Sequence, residues 1–341
     1  MKLIDLGFSY PESLVATRPQ SPSRVMWVED GLPAEITLQE LLQRIPAGDV
    51  LVVNNTKVLK RRVFAGDLEI LFLRQISPLE WEVLFPSRKM KIEEQIQLPE
   101  DVVMTLTQKG RPQRVQVSRE LHENYFQKNA ELPLPPYIQK AREARHTEEA
   151  DESWYQTVWA KKEGSFAAPT ASLHFKTEDL DFLRSRGVHI VELTLHVGLG
   201  TFLPVTAEDL NDHEMHEEFV EIPGFTWQLI QQTKAHGGQV WSLGTTSTRS
   251  LESAALGLLE RSEDGGYVGL TRLLIQPGFE WKVVDNLLTN FHQPESTLLA
   301  LVSGFSSLAT VKACYQWAIE RSFRLFSYGD LSCWIKQKPQ K

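Results

Sequence analysis

Residues 154–204 read WYQTVWAKKEGSFAAPTASLHFKTEDLDFLRSRGVHIVELTLHVGLGTFLP, and this stretch decides the fold. It predicts a turn-rich loop, a short helix, a buried strand and a glycine loop. Val188 to Val197 is rich in β-branched and aliphatic residues, which suits a pleated surface covered on both sides. The preceding helix, about Glu178 to Arg186, sets Leu180 and Leu183 on one face and puts Gly187 where a C-cap belongs. His174 and His196 bracket this unit beside loops of small residues. Loops at the ends of a rigid sheet are where α/β proteins keep their chemistry.

Outward from there the texture stays α/β towards the C-terminus. The pattern predicts helices over 225–236, 250–260, 296–307 and 311–322, and strands over 239–243, 270–276 and 324–328. Upstream, Asp49 to Val53 is a compact apolar strand entering Asn54-Asn55, and Thr37 with Glu40 has the spacing of a capping box. From about Val63 the pattern changes to short β-type runs (LEILFLR, EWEVLFP, VVMTLTQ, RVQVS), as in a small barrel or sandwich. ELPLPPYI, residues 131–138, is extended by its prolines, and 139–153 is highly charged, with helix one alternative and a linker or mobile surface the other. The expected architecture is a mixed-sheet α/β domain made of residues 1–62 and 150–341, with a small β-barrel domain, 63–149, inserted.

The 341 residues support a large core, and a net charge of −8 argues against nucleic-acid binding by charge alone. Between Asn54 and Arg145, however, 16 Lys and Arg face 12 Asp and Glu, so the middle of the chain is locally basic. Two cysteines exclude both a disulfide framework and a cysteine metal site. With no signal peptide visible and no apolar run of membrane length, a cytoplasmic protein without a membrane partner is expected.

Several clusters carry chemistry. Gly244-Thr245-Thr246-Ser247-Thr248-Arg249 joins a strand to a helix, which suits an anionic or hydroxyl-rich ligand and equally suits a plain N-capping cluster. His213 and His216 lie three residues apart, but HExxH and HxxEH are both absent. Hydrogen-bonding or proton-accepting histidines therefore fit better than a metal hydrolase. Thr289-Asn290-Phe291-His292 and Ser327-Tyr328-Gly329-Asp330 add polar groups at further strand ends.

VVNNTKVLKRRV, PLPPYI, YQTVWAKKEGSFAAPTASLHF, TLHVGLGTFLPV, HEMHEE, GTTSTRSLESAA, PGFEWKVVDNLLTNFHQPESTLLALVSGF and RLFSYGD together resemble, in order, the motifs of the S-adenosylmethionine:tRNA ribosyltransferase-isomerase family. The resemblance runs from near residue 5 to near residue 330. Departures are Glu217, Ser172, Lys176, Gln293 and Glu295, together with the LFSYGDLS ending. The resemblance implies the inserted barrel. It also implies transfer of the ribosyl group of S-adenosylmethionine to preQ1 (7-aminomethyl-7-deazaguanine) at the wobble position of tRNA, giving epoxyqueuosine, adenine and methionine. S-adenosylmethionine is then a consumed co-substrate, with no other cofactor or metal, and a monomer is expected. His174, His196, His213, His216 and His292 become candidates for the general base. Asn54, Asn55, Thr170, Gly198, Gly200, Thr245, Thr246, Ser247, Arg249, Glu252, Asn290, Tyr328 and Asp330 become candidate substrate contacts. Trp154, Tyr155 and Trp159 are candidate aromatic faces for the sulfonium. Lys57, Lys60, Arg61, Arg62, Arg88 and Lys89, with Lys91, are the candidate tRNA contacts. The alternatives are a metal-dependent hydrolase centred on His213 and His216, and a catalytically impaired tRNA-binding relative.

Overall fold

A computed structural model describes residues 1–198, 200 and 205–336. Its frame is a ten-stranded mixed sheet. The centre is parallel: His189–Leu195, Val50–Asn54, Val240–Leu243 and Asn286–Asn290 lie side by side in that order. Leu331–Ile335, Arg24–Glu29 and Leu32–Thr37 extend one flank. Glu218–Ile222, Tyr267–Thr271 and Glu260–Arg261 extend the other, all antiparallel.

Strand Val50–Asn54 is buried throughout, and its alternation explains why the sequence there is continuously apolar. Val50 and Val52 enter one core, against Trp227, Ile230 and Leu251. Leu51 and Val53 enter the opposite core, against Leu41, Leu180 and Leu183. Helices Leu38–Arg44 and Thr177–Ser185 therefore cover one face, and Gly224–Ala235 and Thr245–Ala255 the other. The predicted capping box holds: Glu40 N–H donates to Thr37 Oγ1 at 3.1 Å, and Thr37 N–H donates to Glu40 Oε2 at 2.7 Å. Gly187 follows the second helix with φ +84°, the left-handed turn that ends it.

Residues 62–131 form a seven-stranded antiparallel sheet with a core of its own around Phe72, Trp81, Met104 and Phe126. Its strand order is linear, from Ala130–Glu131 at one edge to Gln95–Gln97 at the other. Thr56–Val58 pairs in parallel with Lys162–Ser165 as a separate ribbon.

Three local expectations are corrected. The helix after Gly244 starts at Thr245, not Ser250, because the hydroxyls of Ser247 and Thr248 bond back to the carbonyls of Leu243 and Gly244 and leave the helical ladder intact. The final strand is Leu331–Ile335, not 324–328. The Asp330 carboxylate accepts from the N–H of both Arg24 and Arg324, closing a tight turn where the strand was expected. Residues 139–153 are no loose linker: Arg142 grips fully buried Asp151 through both terminal nitrogens, at 2.6 and 2.8 Å, and also holds the carbonyl of Thr17.

No single helix among the described residues is long and apolar enough to cross a membrane.

Candidate active site

Because the four central strands are parallel, Asn54, Leu195, Leu243 and Asn290 end on the same edge of the sheet. The loops that follow converge there around a cavity of about 470 Å³. This is the crevice that the open α/β arrangement leaves beyond the carboxyl ends of its strands. Thr170, Gly200, His213, His216, Thr245, Thr246, Arg249, Asn290 and His292 line it, as do Tyr155, Tyr137, Glu218 and Phe326.

The five histidines separate by geometry. His196 does not line the cavity, although its neighbour Val197 does. Its ring stacks on Phe219 at 5.6 Å, and its Nδ1 lies 2.7 Å from Thr56 Oγ1. Gly164 is required beneath it, since a Cβ there would come within 2.7 Å of the ring.

His174 stands behind the wall, held by Asn290. The Asn290 Nδ2 donates to the Phe326 carbonyl at 3.1 Å, which fixes the amide orientation, and Oδ1 accepts from Thr170 Oγ1 at 2.8 Å. The same Nδ2 must then donate to His174 Nε2, 3.0 Å away, so His174 carries its proton on Nδ1 and donates it to Ser23 Oγ at 2.8 Å. Burial pushes its pKa down to about 4, with Asp330 opposing and Arg324 assisting. A neutral ring with both nitrogens engaged positions Asn290 and Thr170; it is not free to take a proton.

His292 lines the cavity, but its Nε2 is 2.9 Å from Thr289 Oγ1 and burial lowers its pKa to about 3. That leaves His213 and His216. Both face the cavity, and neither imidazole has a hydrogen-bond partner among the described residues. Burial, then the neighbouring His216, lowers the pKa of His213, so it is an unprotonated acceptor at neutral pH.

The other candidates divide in the same way. Asn54 is wholly buried: its Oδ1 accepts from the N–H of Leu195 and Thr56, and its Nδ2 reaches the Leu195 carbonyl and Thr246 Oγ1. It ties three strand-end loops together beneath the cavity. Asn55 bonds Thr194 and Glu192. Ser247 is a buried helix hydroxyl, and Tyr328 donates to Asp151 at 3.2 Å. Asp330 is spent on its turn. Glu252 is fully buried and accepts from three backbone N–H groups, Lys282, Val283 and Val284, at 2.8–3.0 Å. These six candidates are framework, not lining. Gly198 N–H donates to Glu218 Oε1 at 3.1 Å. Of the expected glycine loop, residues 199 and 201–204 lie outside the described residues.

Trp159 donates from its indole to the Asn54 carbonyl in the core, Trp154 packs on the main core, and only Tyr155 of the three aromatics reaches the cavity. Glu218 was missed by residue reading although it closes the HEMHEE run. Its carboxylate pairs with Arg249. Tyr137 belongs to the proline-rich ELPLPPYI segment and Phe326 to the expected strand 324–328; both form an aromatic wall, their rings 5.2 Å apart. Nothing in either local pattern separates these rings from core aromatics.

The basic candidates are mostly neutralised. Lys57 pairs with Glu163, Lys60 with Glu152, and Arg61 with Glu123 in a fork over the ring of Phe126. Arg62 is 1% exposed and pairs with Glu131, so it cannot meet a phosphate. Arg88, Lys89 and Lys91 are exposed, with no ion-pair partner among the described residues. No cluster of three His, Cys, Asp or Glu side chains placed to hold a metal occurs among the described residues, so His213 and His216 lack the further ligands a hydrolytic metal needs.

Fold and cavity together define an α/β protein with a loop-built pocket of imidazoles, aromatic faces and a buried guanidinium. Its sequence matches the queuosine biosynthesis protein family over residues 3–334. The chain belongs to that family. Curated relatives include proteins named S-adenosylmethionine:tRNA ribosyltransferase-isomerase. The one from Staphylococcus haemolyticus is 39% identical over 97% of this chain and 98% of that protein. The one from Desulforamulus reducens is 39% identical with the same coverage. The crystal structure of S-adenosylmethionine tRNA ribosyltransferase from Thermotoga maritima superposes with a TM-score of 0.55 at 28% identity, covering 96% of this chain and 99% of that one.

Proposed function

We propose that this chain is an S-adenosylmethionine:tRNA ribosyltransferase-isomerase, acting on preQ1 at the wobble position of tRNA. The observation that carries the reading is the pair of imidazoles, His213 and His216, without a hydrogen-bond partner among the described residues, in the cavity where the strand ends of this family's fold converge. A sulfonium acidifies the C5′ carbon beside it, and a neutral imidazole is the side chain suited to take that proton at pH 7. Electrons released at C5′ open the ribose and expel adenine. The aminomethyl nitrogen of preQ1 then bonds to the ribosyl carbon, and closure of the epoxide expels methionine. We assign the base to His213, with Tyr155, Tyr137 and Phe326 as π-faces for the sulfonium or adenine.

In this reading residues 63–149 are an inserted module that grips tRNA, and its exposed Arg88, Lys89 and Lys91 supply the phosphate contacts. An unpaired anticodon base is the kind that can be splayed into a pocket. The departure at Glu217 leaves the pocket alone, because that carboxylate is exposed and pairs with Arg272 at 2.9 Å.

The test is incubation with S-adenosylmethionine and preQ1-containing tRNA, scored by free adenine and a mass gain on the base. Release of adenine by the native protein, and loss of about 100-fold or more in His213→Gln with tRNA affinity retained, is expected of a general base. Full activity in His213→Gln would move the base elsewhere. No adenine from the native protein would end the reading.

A further inference from the structure

We infer that the start of helix Thr245–Ala255, with Arg249 one turn along, is the subsite for a carboxylate, namely the α-carboxylate at the amino-acid end of the sulfonium donor; this rests on the function proposed above. The helix has eleven residues and opens into the cavity at Gly244, Thr245 and Thr246. Gly244 has no side chain to cap it, and the N–H groups of Thr245, Thr246 and Ser247 have no acceptor among the described residues. Three aligned donors at the positive end of a helix dipole favour an anion.

The independent observation is Arg249. It is 6% exposed and lines the same cavity. Its Nε donates to the Leu273 carbonyl at 3.0 Å and its Nη1 to Glu218, while its Nη2 is buried with no acceptor among the described residues. An unmet buried guanidinium donor is costly, and a charged acceptor arriving from the cavity would satisfy it. Residues 245 and 249 lie four apart, on one face of the helix.

Glu218 is committed: one oxygen accepts from Gly198 N–H and the other from Arg249. It therefore aims the guanidinium rather than competing for it. Thr246 Oγ1 already accepts from Asn54 Nδ2 at 3.2 Å, which leaves its own proton free to donate to the anion.

The experiment compares S-adenosylmethionine with its decarboxylated analogue, with preQ1-tRNA saturating and adenine release as the readout. The analogue keeps the sulfonium, ribose and adenine and lacks only the carboxylate. The native protein should show a KM about 30-fold higher for the analogue with kcat within about threefold, the range expected for losing charge-assisted hydrogen bonds. Arg249→Lys keeps a cation for Glu218 but loses the fork, and should bring the ratio of the two KM values to within about threefold. Should that variant not fold, Thr246→Val, which removes the hydroxyl proton offered to the anion and leaves the Glu218 pair intact, carries the same test with the ratio reduced by about threefold.

Equal use of both donors by the native protein would overturn the subsite while leaving the activity standing; no turnover of either would overturn the activity itself. A native ratio retained in Arg249→Lys would exclude Arg249. Loss of tRNA affinity in that variant with the ratio unchanged would make the anion a phosphate, and that too would overturn the assignment.

Discussion

Acidification tests how the cavity wall is built. Burial holds the pKa of His174 at about 4 and that of His292 at about 3, against 6.5 in the unfolded chain. Between those values the unfolded chain binds a proton that the folded protein does not. Falling pH therefore favours unfolding, and the stability at stake is fully present above pH 6.5 and lost below it. One pKa unit is worth about 1.4 kcal/mol, so each ring costs at most about 2 kcal/mol between pH 7 and pH 5. His196 and His213 are shifted the same way and add to the loss. The window is chosen because carboxylates titrate in the unfolded chain near pH 4 and contribute mainly below it. A combined loss of about 4 kcal/mol is a large part of the roughly 5–15 kcal/mol that holds a typical domain together. Urea unfolding followed by tryptophan fluorescence at pH 7, 6 and 5 measures it. His292→Gln keeps a hydrogen-bonding group beside Thr289 and should recover about 2 kcal/mol of the loss. A native protein whose stability is flat from pH 7 to 5, or a variant that loses as much as the native chain, would refute the placement of these rings.

Replacing Glu252 with Ala strips three buried backbone N–H groups of their acceptor and should cost roughly 3–5 kcal/mol in urea unfolding, with donor KM unchanged in the folded fraction. A raised KM with native stability would return Glu252 to the ligand. Replacing Arg88, Lys89 and Lys91 together by alanine should weaken tRNA binding and reduce its salt slope by about 2–3, whereas an unchanged slope would remove that loop from the interface. Arg62→Ala should instead destabilise the protein by roughly 1.5–3 kcal/mol, because it leaves the half-buried carboxylates of Glu131 and Glu69 without their guanidinium, and should do so without a matching change in salt slope.

What the residues alone disclosed follows from periodicity. The unbroken apolar run Val50–Val53 and the alternating helix and strand after Trp154 read as a sheet covered on both faces, and that is the frame observed. Strand polarity did the rest: once four parallel strands are adjacent, Asn54, His196, Gly244 and Asn290 must end on one edge, so clusters far apart in sequence had to meet. Direction, by contrast, is not written in type or spacing. His196 and Val197 differ in facing by a single step of the pleat, and only the pairing with Phe219 decides which of them sees the cavity. Charge was the least legible property. Lys60, Arg61 and Arg62 form the most basic run in the chain, yet carboxylates more than 60 residues away quench each of them, and no local pattern reports that pairing.

The same distinction explains why polar clusters in this protein fall into two kinds. Asn54, Glu252 and Asp330 are buried with their hydrogen-bonding capacity spent on backbone groups and, for Asn54 and Asp330, also on the side chains of Thr246 and Arg324, so each fixes a loop and has nothing left for a ligand. His213, His216 and the Nη2 of Arg249 face or border the cavity with capacity unspent among the described residues. A framework that satisfies itself so thoroughly can hold unsatisfied groups in place, and preorganised donors and acceptors are what stabilise charge as it develops during a reaction. The chemistry therefore belongs to the groups with bonds still to make, and Arg249 joins the two kinds: two of its nitrogens are locked to Leu273 and Glu218, and the third, on a residue that lines the cavity, has no acceptor among the described residues.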